Sequence, residues 1–195
     1  MKTIGFRQAA ELLRQGAVGV LPTDTLFGLV CVAGDHASVT RLYQLKSREK
    51  KPGTLIGASV DQLVELGLKR RYLDAVSHYW PNPISVVIPC ATTELNYLHL
   101  GKQSIAVRLP DNDELQKLLE QTGPLLTSSA NLPDQPPAHS AVEAEQYFGD
   151  KVDFYVGDAI GSLQKPSTVL QVIDDTVVVL RDGAAIIDEE TGAIE

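Results

Sequence analysis

The apolar positions of this chain recur with two different periods. Phe6, Ala9, Ala10, Leu12 and Leu13 follow helical spacing and stop before Gly16, a natural C-cap, so the spacing predicts a first helix. Ala17 to Leu21 is continuously apolar and reads as a buried strand that empties into the turn Pro22-Thr23-Asp24-Thr25, where Asp24 suits a capping role. Leu26 to Val32 carries the chain back into the core. Asp35 or Ser38 can cap the next helix, whose residues Val39, Leu42, Tyr43 and Lys46 fall at i, i+3, i+4 and i+7. That phase sets Lys46 on the apolar side, where an ammonium must snorkel out or meet an anion. Pro52 and Gly53 break the run.

Thr54 to Ala58 reads as a short strand, and Val60, Leu63, Val64 and Leu66 suit a helix. Lys69-Arg70-Arg71 opens another, with Leu73, Val76, Tyr79 and Trp80 inward, and Trp80-Pro81-Asn82-Pro83 ends it. Ile84 to Ile88 is a strand, and residues 90–103 form an irregular connection. In the strand Ser104 to Pro110, Arg108 shares a face with Ser104 and Ala106, opposite Ile105, Val107 and Leu109. Asp111-Asn112-Asp113 caps the helix of Leu115, Leu118 and Leu119, and capping accounts for those groups better than a metal does. Leu125 to Thr127 runs into Ser128-Ser129-Ala130-Asn131, and Pro133, Pro136 and Pro137 hold an extended loop. A helix over Val142 to Phe148 precedes three strand-like segments, Phe154 to Val156, Ser167 to Ile173 and Thr176 to Leu180. Asp174-Asp175 forms a two-residue hairpin turn between the last two. Alternating strands and helices define an α/β chain. Residues 1–183 are expected to be a single catalytic domain and 184–195 a loose acidic tail.

Composition narrows the class. At 195 residues and 44% hydrophobic the chain can bury a sizeable core. Cys31 and Cys90 stand apart in apolar stretches, as small core residues of a reducing, cytoplasmic protein. His36, His78, His99 and His139 have no ligand-type neighbour in sequence, and the N-terminus lacks the apolar run of a signal peptide or membrane span. The formal net charge of −8 argues against a broadly basic nucleic-acid surface. One stretch goes the other way: in Lys46-Ser47-Arg48-Glu49-Lys50-Lys51-Pro52 four cations face one anion. A solvated helix end explains such a run, and so does a local anionic ligand.

Phosphate-loop, dinucleotide, nucleophile-elbow and zinc-protease motifs are absent, and Ser128-Ser129 has no activating base nearby in sequence. What recurs at strand ends is a set of neutral hydrogen-bonders and fixed cations: Thr23, Thr25, Ser104, Arg108, Ser129, Asn131, Ser167 and Arg181. In open α/β sheets ligands gather outside the carboxyl ends of strands, and this set suits an anionic, polar molecule. Phosphate or carboxylate recognition follows, with phosphoryl or nucleotidyl transfer as the natural chemistry.

Seven pieces, in order, carry a resemblance: Pro22-Thr23-Asp24-Thr25-Leu26-Phe27-Gly28-Leu29; Lys46-Ser47-Arg48 followed by Pro52; Trp80-Pro81-Asn82-Pro83; Ala106-Val107-Arg108-Leu109-Pro110; Ser129-Ala130-Asn131; Pro166-Ser167-Thr168-Val169; and Leu180-Arg181-Asp182-Gly183. Together, from about Leu12 to Gly183, the chain resembles the YrdC-type threonylcarbamoyl-adenylate synthase family in its short form. The resemblance implies a twisted mixed sheet flanked by helices, with a concave basic cleft. It implies condensation of L-threonine, bicarbonate and ATP into threonylcarbamoyl-AMP with release of pyrophosphate. A separate complex would pass the threonylcarbamoyl group to tRNA. It places Lys46 and Arg48 on the ATP phosphates as the catalytic pair, with Ser104, Ser129, Asn131 and Arg181 on the nucleotide. Thr25, Arg108, Thr127 and Ser167 would bind threonine, Arg108 through its carboxylate. Mg²⁺ would be held by phosphates and water rather than by protein side chains.

The chain departs from the family pattern at Phe27, where Tyr is common; at Asn82, in place of Gly; at Glu49-Lys50-Lys51-Pro52; and at Pro133-Asp134, in place of Ser-Gly. A non-catalytic RNA-binding or ribosome-maturation module using the same cleft is the alternative reading. A carbamoyl-transfer enzyme is a third, although such relatives carry further domains.

Overall fold

The computed structural model describes residues 3–47, 51–157, 165–174, 176–188 and 190–195. Nine strands form one mixed sheet: β1 (Gly19–Pro22), β2 (Phe27–Val32), β3 (Thr54–Ile56), β4 (Ile84–Pro89), β5 (Ser104–Arg108), β6 (Leu125–Ser129), β7 (Phe154–Tyr155), β8 (Thr168–Ile173) and β9 (Thr176–Arg181). Their spatial order is β7-β1-β2-β6-β3-β5-β4-β8-β9. β7/β1, β3/β5 and β4/β8 pair in parallel; the other five pairs are antiparallel.

The central strands are apolar on both faces because each face meets a separate layer. Val20, Leu29, Leu55 and Leu126 face one hydrophobic cluster, and their chain neighbours Leu21, Val30, Ile56 and Leu125 face the other. This is the two-residue period of a pleated strand with both sides covered. The second cluster is closed by α1 (Phe6–Leu13) through Ala9, Ala10 and Leu13 and by α6 (Asp113–Thr122) through Leu115, Leu118 and Leu119. The first is covered by α2 (His36–Leu45), α4 (Arg70–Val76) and α7 (Ala141–Phe148), with α3 (Val60–Glu65) and α5 (Asn96–His99) beside them.

The expected helix starts hold. Asp35 accepts from the Ala37 amide and caps α2, and Asn112 accepts from the Leu115 amide and caps α6. Two expectations fail. The connection over 90–103 contains a 3₁₀ turn (Thr93–Leu95) and the four-residue α5; Leu95 and Leu98 are buried there, but one helical turn is too short to show periodicity. The segment after Gly183 is not loose. Ile187 and Ile194 bridge in antiparallel fashion, and Asp188 accepts from the Glu190 and Thr191 amides. Ala185 exchanges two hydrogen bonds with the Thr168 hydroxyl. A short hairpin satisfies its own backbone groups, which charge composition alone does not reveal.

Candidate functional site

A cleft of about 540 Å³ opens where β5, β6, the β1–β2 turn and the segments around Ser167 and Arg181 converge. Strands of opposite direction end here side by side, so their terminal side chains face one volume. Among the described residues four cations reach its lining, Lys51, Lys102, Arg108 and Arg181, with a run of hydroxyls that includes Thr25, Ser104, Thr127 and Ser129, and none of those that line it is a carboxylate. Gly28 makes room on one wall: a Cβ there would stand 2.5 Å from the Thr127 hydroxyl.

Arg108 holds the floor. Its side chain is 4% exposed and pairs at 3.1 Å with Asp24, also 4% exposed, from the turn between β1 and β2. The same guanidinium donates to the Ser85 hydroxyl (3.1 Å) and reaches the Thr25 hydroxyl (3.4 Å). Two buried atoms of this pair, Asp24 Oδ2 and Arg108 Nε, have no hydrogen-bond partner among the described residues. A buried ion pair with unsatisfied atoms is an expensive arrangement for stability alone, which marks the place as a site. The β1–β2 turn is fixed by Thr23, whose hydroxyl donates to the Leu26 carbonyl at 2.7 Å and lies 3.1 Å from that of Thr25.

Ser167 joins the two arginines. Its hydroxyl is 2.9 Å from Ser85 Oγ and accepts from Arg181 Nη2 at 3.0 Å, while its carbonyl accepts from the same guanidinium at 2.6 Å. The backbone behind it crosses another segment so closely that a Cβ on Gly183 would stand 2.3 Å from the Thr168 nitrogen.

Lys46 follows the phase that its helix predicts, as it is 3% exposed, and the partners of its ammonium among the described residues are neutral oxygens. Its ammonium donates to the Ser129 carbonyl (2.8 Å), the Asn131 side-chain oxygen (2.7 Å) and the Asn131 carbonyl. Ser129 Oγ donates to that same Asn131 oxygen at 2.7 Å, and the Asn131 amide nitrogen donates to the Gln135 carbonyl. Lys46 and Asn131 thus shape the loop at the end of β6 and stand outside the cleft lining, whereas Ser129 reaches it. The reason is geometric: the C-capping residue of α2 lies next to the Ser129 and Asn131 carbonyls, at the end of β6 and just beyond it. Arg48, Glu49 and Lys50 lie outside the described residues. Of the remaining expected residues, Thr25, Ser104, Arg108, Thr127, Ser129, Ser167 and Arg181 come together in the cleft.

Sequence reading assigned no site role to Asp24 or Ser85. Ser85 is fully buried in β4, and one hydroxyl inside the apolar run Ile84–Ile88 is the signal that points to it. Burial disfavours the thiolate at both cysteines. Burial pushes the Cys31 thiol up to about 12 against a weaker hydrogen bond from Ser38, and burial also raises Cys90. Among the described residues no cluster of His, Cys, Asp and Glu could hold a metal, and no helix is long and apolar enough to cross a membrane.

Known proteins share this fold. The model of the Sua5/YciO/YrdC family, described as "Telomere recombination", matches residues 11–183. The chain belongs to that family. It is 32% identical over 174 residues to the threonylcarbamoyl-AMP synthase of Pseudomonas aeruginosa, covering 87% of this chain and 94% of that one. The P. abyssi Sua5 protein, solved in complex with L-threonine, superposes with a TM-score of 0.81 at 28% identity over 92% of this chain. The chain spans about half of that longer protein (54%). E. coli YciO superposes with a TM-score of 0.74 at 27% identity, covering 91% of this chain and 88% of that one.

Proposed function

We propose that the cleft condenses L-threonine, bicarbonate and ATP into threonylcarbamoyl-AMP and pyrophosphate, for transfer of the threonylcarbamoyl group to tRNA by a separate complex. The observation that carries this reading is the floor of the cleft. A buried guanidinium in the cleft lining, with no partner for Nε among the described residues and the Thr25 hydroxyl beside it, suits a carboxylate in a volume walled by further hydroxyls and cations. The relatives named threonylcarbamoyl-AMP synthase and the L-threonine complex of a structural neighbour support the choice of amino acid.

In this reading Arg108 receives the threonine carboxylate, Ser167 hydrogen-bonds the threonine part, and Thr25 and Thr127 surround the rest of the amino acid. Ser104, Ser129 and Arg181 face the nucleotide, Asn131 and Lys46 hold the loop that presents Ser129, and Arg48 is assigned to the phosphates. The threonine amine adds to bicarbonate with loss of water, giving an N-carboxylate. That carboxylate oxygen forms a bond to the α-phosphorus as the bond to the pyrophosphate oxygen breaks. Negative charge accumulates between the reactants, so fixed cations and oriented hydroxyls supply the stabilisation and no acid–base residue is required. The lining hydroxyls can complete the coordination of an Mg²⁺ that is carried by phosphates, but with no carboxylate among the described lining residues they do not hold a bare ion. Mg²⁺ would neutralise phosphate charge there. Incubation with ATP, bicarbonate and a panel of amino acids should give pyrophosphate release that depends on L-threonine. Release that is absent, or indifferent to the amino acid, overturns the reading.

A further inference from the structure

Ser85 lies outside the cleft lining, is fully buried, and touches two groups through its hydroxyl. Arg108 Nη1 donates to it at 3.1 Å, and Ser167 Oγ lies 2.9 Å away. A guanidinium can only donate, and a hydroxyl has one hydrogen and two lone pairs. If Ser167 gave its hydrogen to Ser85, the Ser85 hydrogen would be buried with no acceptor, which is the costly outcome for a buried donor. The hydrogen of Ser85 therefore points to Ser167. Ser167 already accepts from Arg181 Nη2 at 3.0 Å, so both of its lone pairs are filled. What remains is its own hydrogen, at a residue that lines the cleft between Arg108 and Arg181.

We propose that Ser85 is a positioning residue that fixes Ser167 as a hydrogen-bond donor into the cleft, so that the ligand atom bound there is an acceptor oxygen of a carboxylate or phosphate and not an N–H or O–H donor. This goes beyond the expectation that Ser167 touches the threonine part: it fixes the polarity of the contact and names the buried hydroxyl that sets it. It rests on the proposed function for the identity of the ligand but not for the polarity itself.

The test compares ligands that differ only in polarity at the acid group. Calorimetry would give the affinity ratio of L-threonine to L-threoninamide, and NMR titration the ratio of acetate to acetamide. Both would be measured on the wild type, Ser85→Ala and Ser85→Thr. Ser85→Ala frees the Ser167 hydroxyl to turn and accept from an amide. Each ratio should fall about tenfold, one hydrogen-bond preference, and Ser85→Thr should restore it. Arg108 remains in every variant, and general destabilisation weakens both members of a ligand pair alike and leaves their ratio unchanged. If the wild type discriminates acetate from acetamide through Ser85 but does not bind L-threonine, the proposed function falls and the polarity stands. Ratios unchanged in Ser85→Ala, or a wild type that does not prefer acetate over acetamide, overturn the inference.

Discussion

Lys46 and Arg108 are both 3% exposed, both sit at the end of a secondary-structure element near the same volume, and do opposite things. The Lys46 ammonium finds protein oxygens for its hydrogens and ties the end of α2 to the loop after β6. The Arg108 guanidinium has one carboxylate partner and two hydroxyls, and still leaves Nε unpaired beside an unpaired Asp24 oxygen. Depth of burial does not separate a structural cation from a ligand-facing one. The supply of acceptors differs between them, and in the proposed function the cation that the fold supplies is the pin and the one left short is the receptor.

The largest expected effect breaks the receptor. Arg108→Met strands the Asp24 carboxylate in a dry site, and urea denaturation should show a loss of about 3–5 kcal/mol together with loss of L-threonine binding. Asp24→Asn combined with Arg108→Met should recover part of the stability and none of the binding. If Arg108→Met keeps wild-type stability, the two cations do not differ as described.

Lys46→Met should cost about 1–3 kcal/mol, since it leaves carbonyl and amide oxygens without their donor. It should also raise the KM for ATP more than that for L-threonine, by releasing Ser129. Lys46→Arg should not rescue it, because a planar fork cannot replace a compact three-hydrogen donor. Loss of ATP binding with unchanged stability would make Lys46 a direct ligand and erase the contrast.

The smallest effect concerns a third cation, Arg41, whose pair with Asp153 joins α2 to the approach to β7 at 3.0 Å. Burial alone would raise the Asp153 carboxyl, but the Arg41 and Val18 hydrogen bonds and the Arg41 charge outweigh it and hold the group below its usual 3.8. A carboxylate depressed in the folded state contributes stability above its unfolded value and loses it as pH falls through the folded value. Asp153→Asn should therefore flatten the stability profile only below about pH 4. The change should be under ~1 kcal/mol, because the two side chains are 38% and 37% exposed. A larger loss at neutral pH, or a profile that keeps its wild-type slope below about pH 4, would count against the acceptor-supply rule as a measure of importance.

Much of this arrangement was legible in the sequence because it depends on local pattern. The continuous apolar run Ala17 to Leu21 marked a buried strand, the i, i+3, i+4 phase placed Lys46 inward, and the Asp35 and Asn112 caps began helices. The hydroxyl-rich strand ends gathered where an α/β sheet presents them. What the sequence did not show depends on partners distant in the chain. Nothing near Asp24 says that its carboxylate meets an arginine from β5, and a cap was the reasonable local expectation. Helical phase says that Lys46 is inside, not which oxygens wait there. The tail misled because acidic composition suggests solvation, while its hairpin rests on backbone bonds and a threonine hydroxyl from β8.

Three of the bonds around the cleft share one property. Arg108 meets Asp24 across 84 positions, Ser85 meets Ser167 across 82, and Lys46 reaches Ser129 across 83. Each of these contacts closes a long loop whose entropy must be lost before the contact forms. Others are local: Ser167 meets Arg181 across 14 positions and Arg108 meets Ser85 across 23. A chain that has built only its hairpins can therefore hold fragments of the cleft lining, and the costly long-range contacts are the ones that join those fragments into one volume.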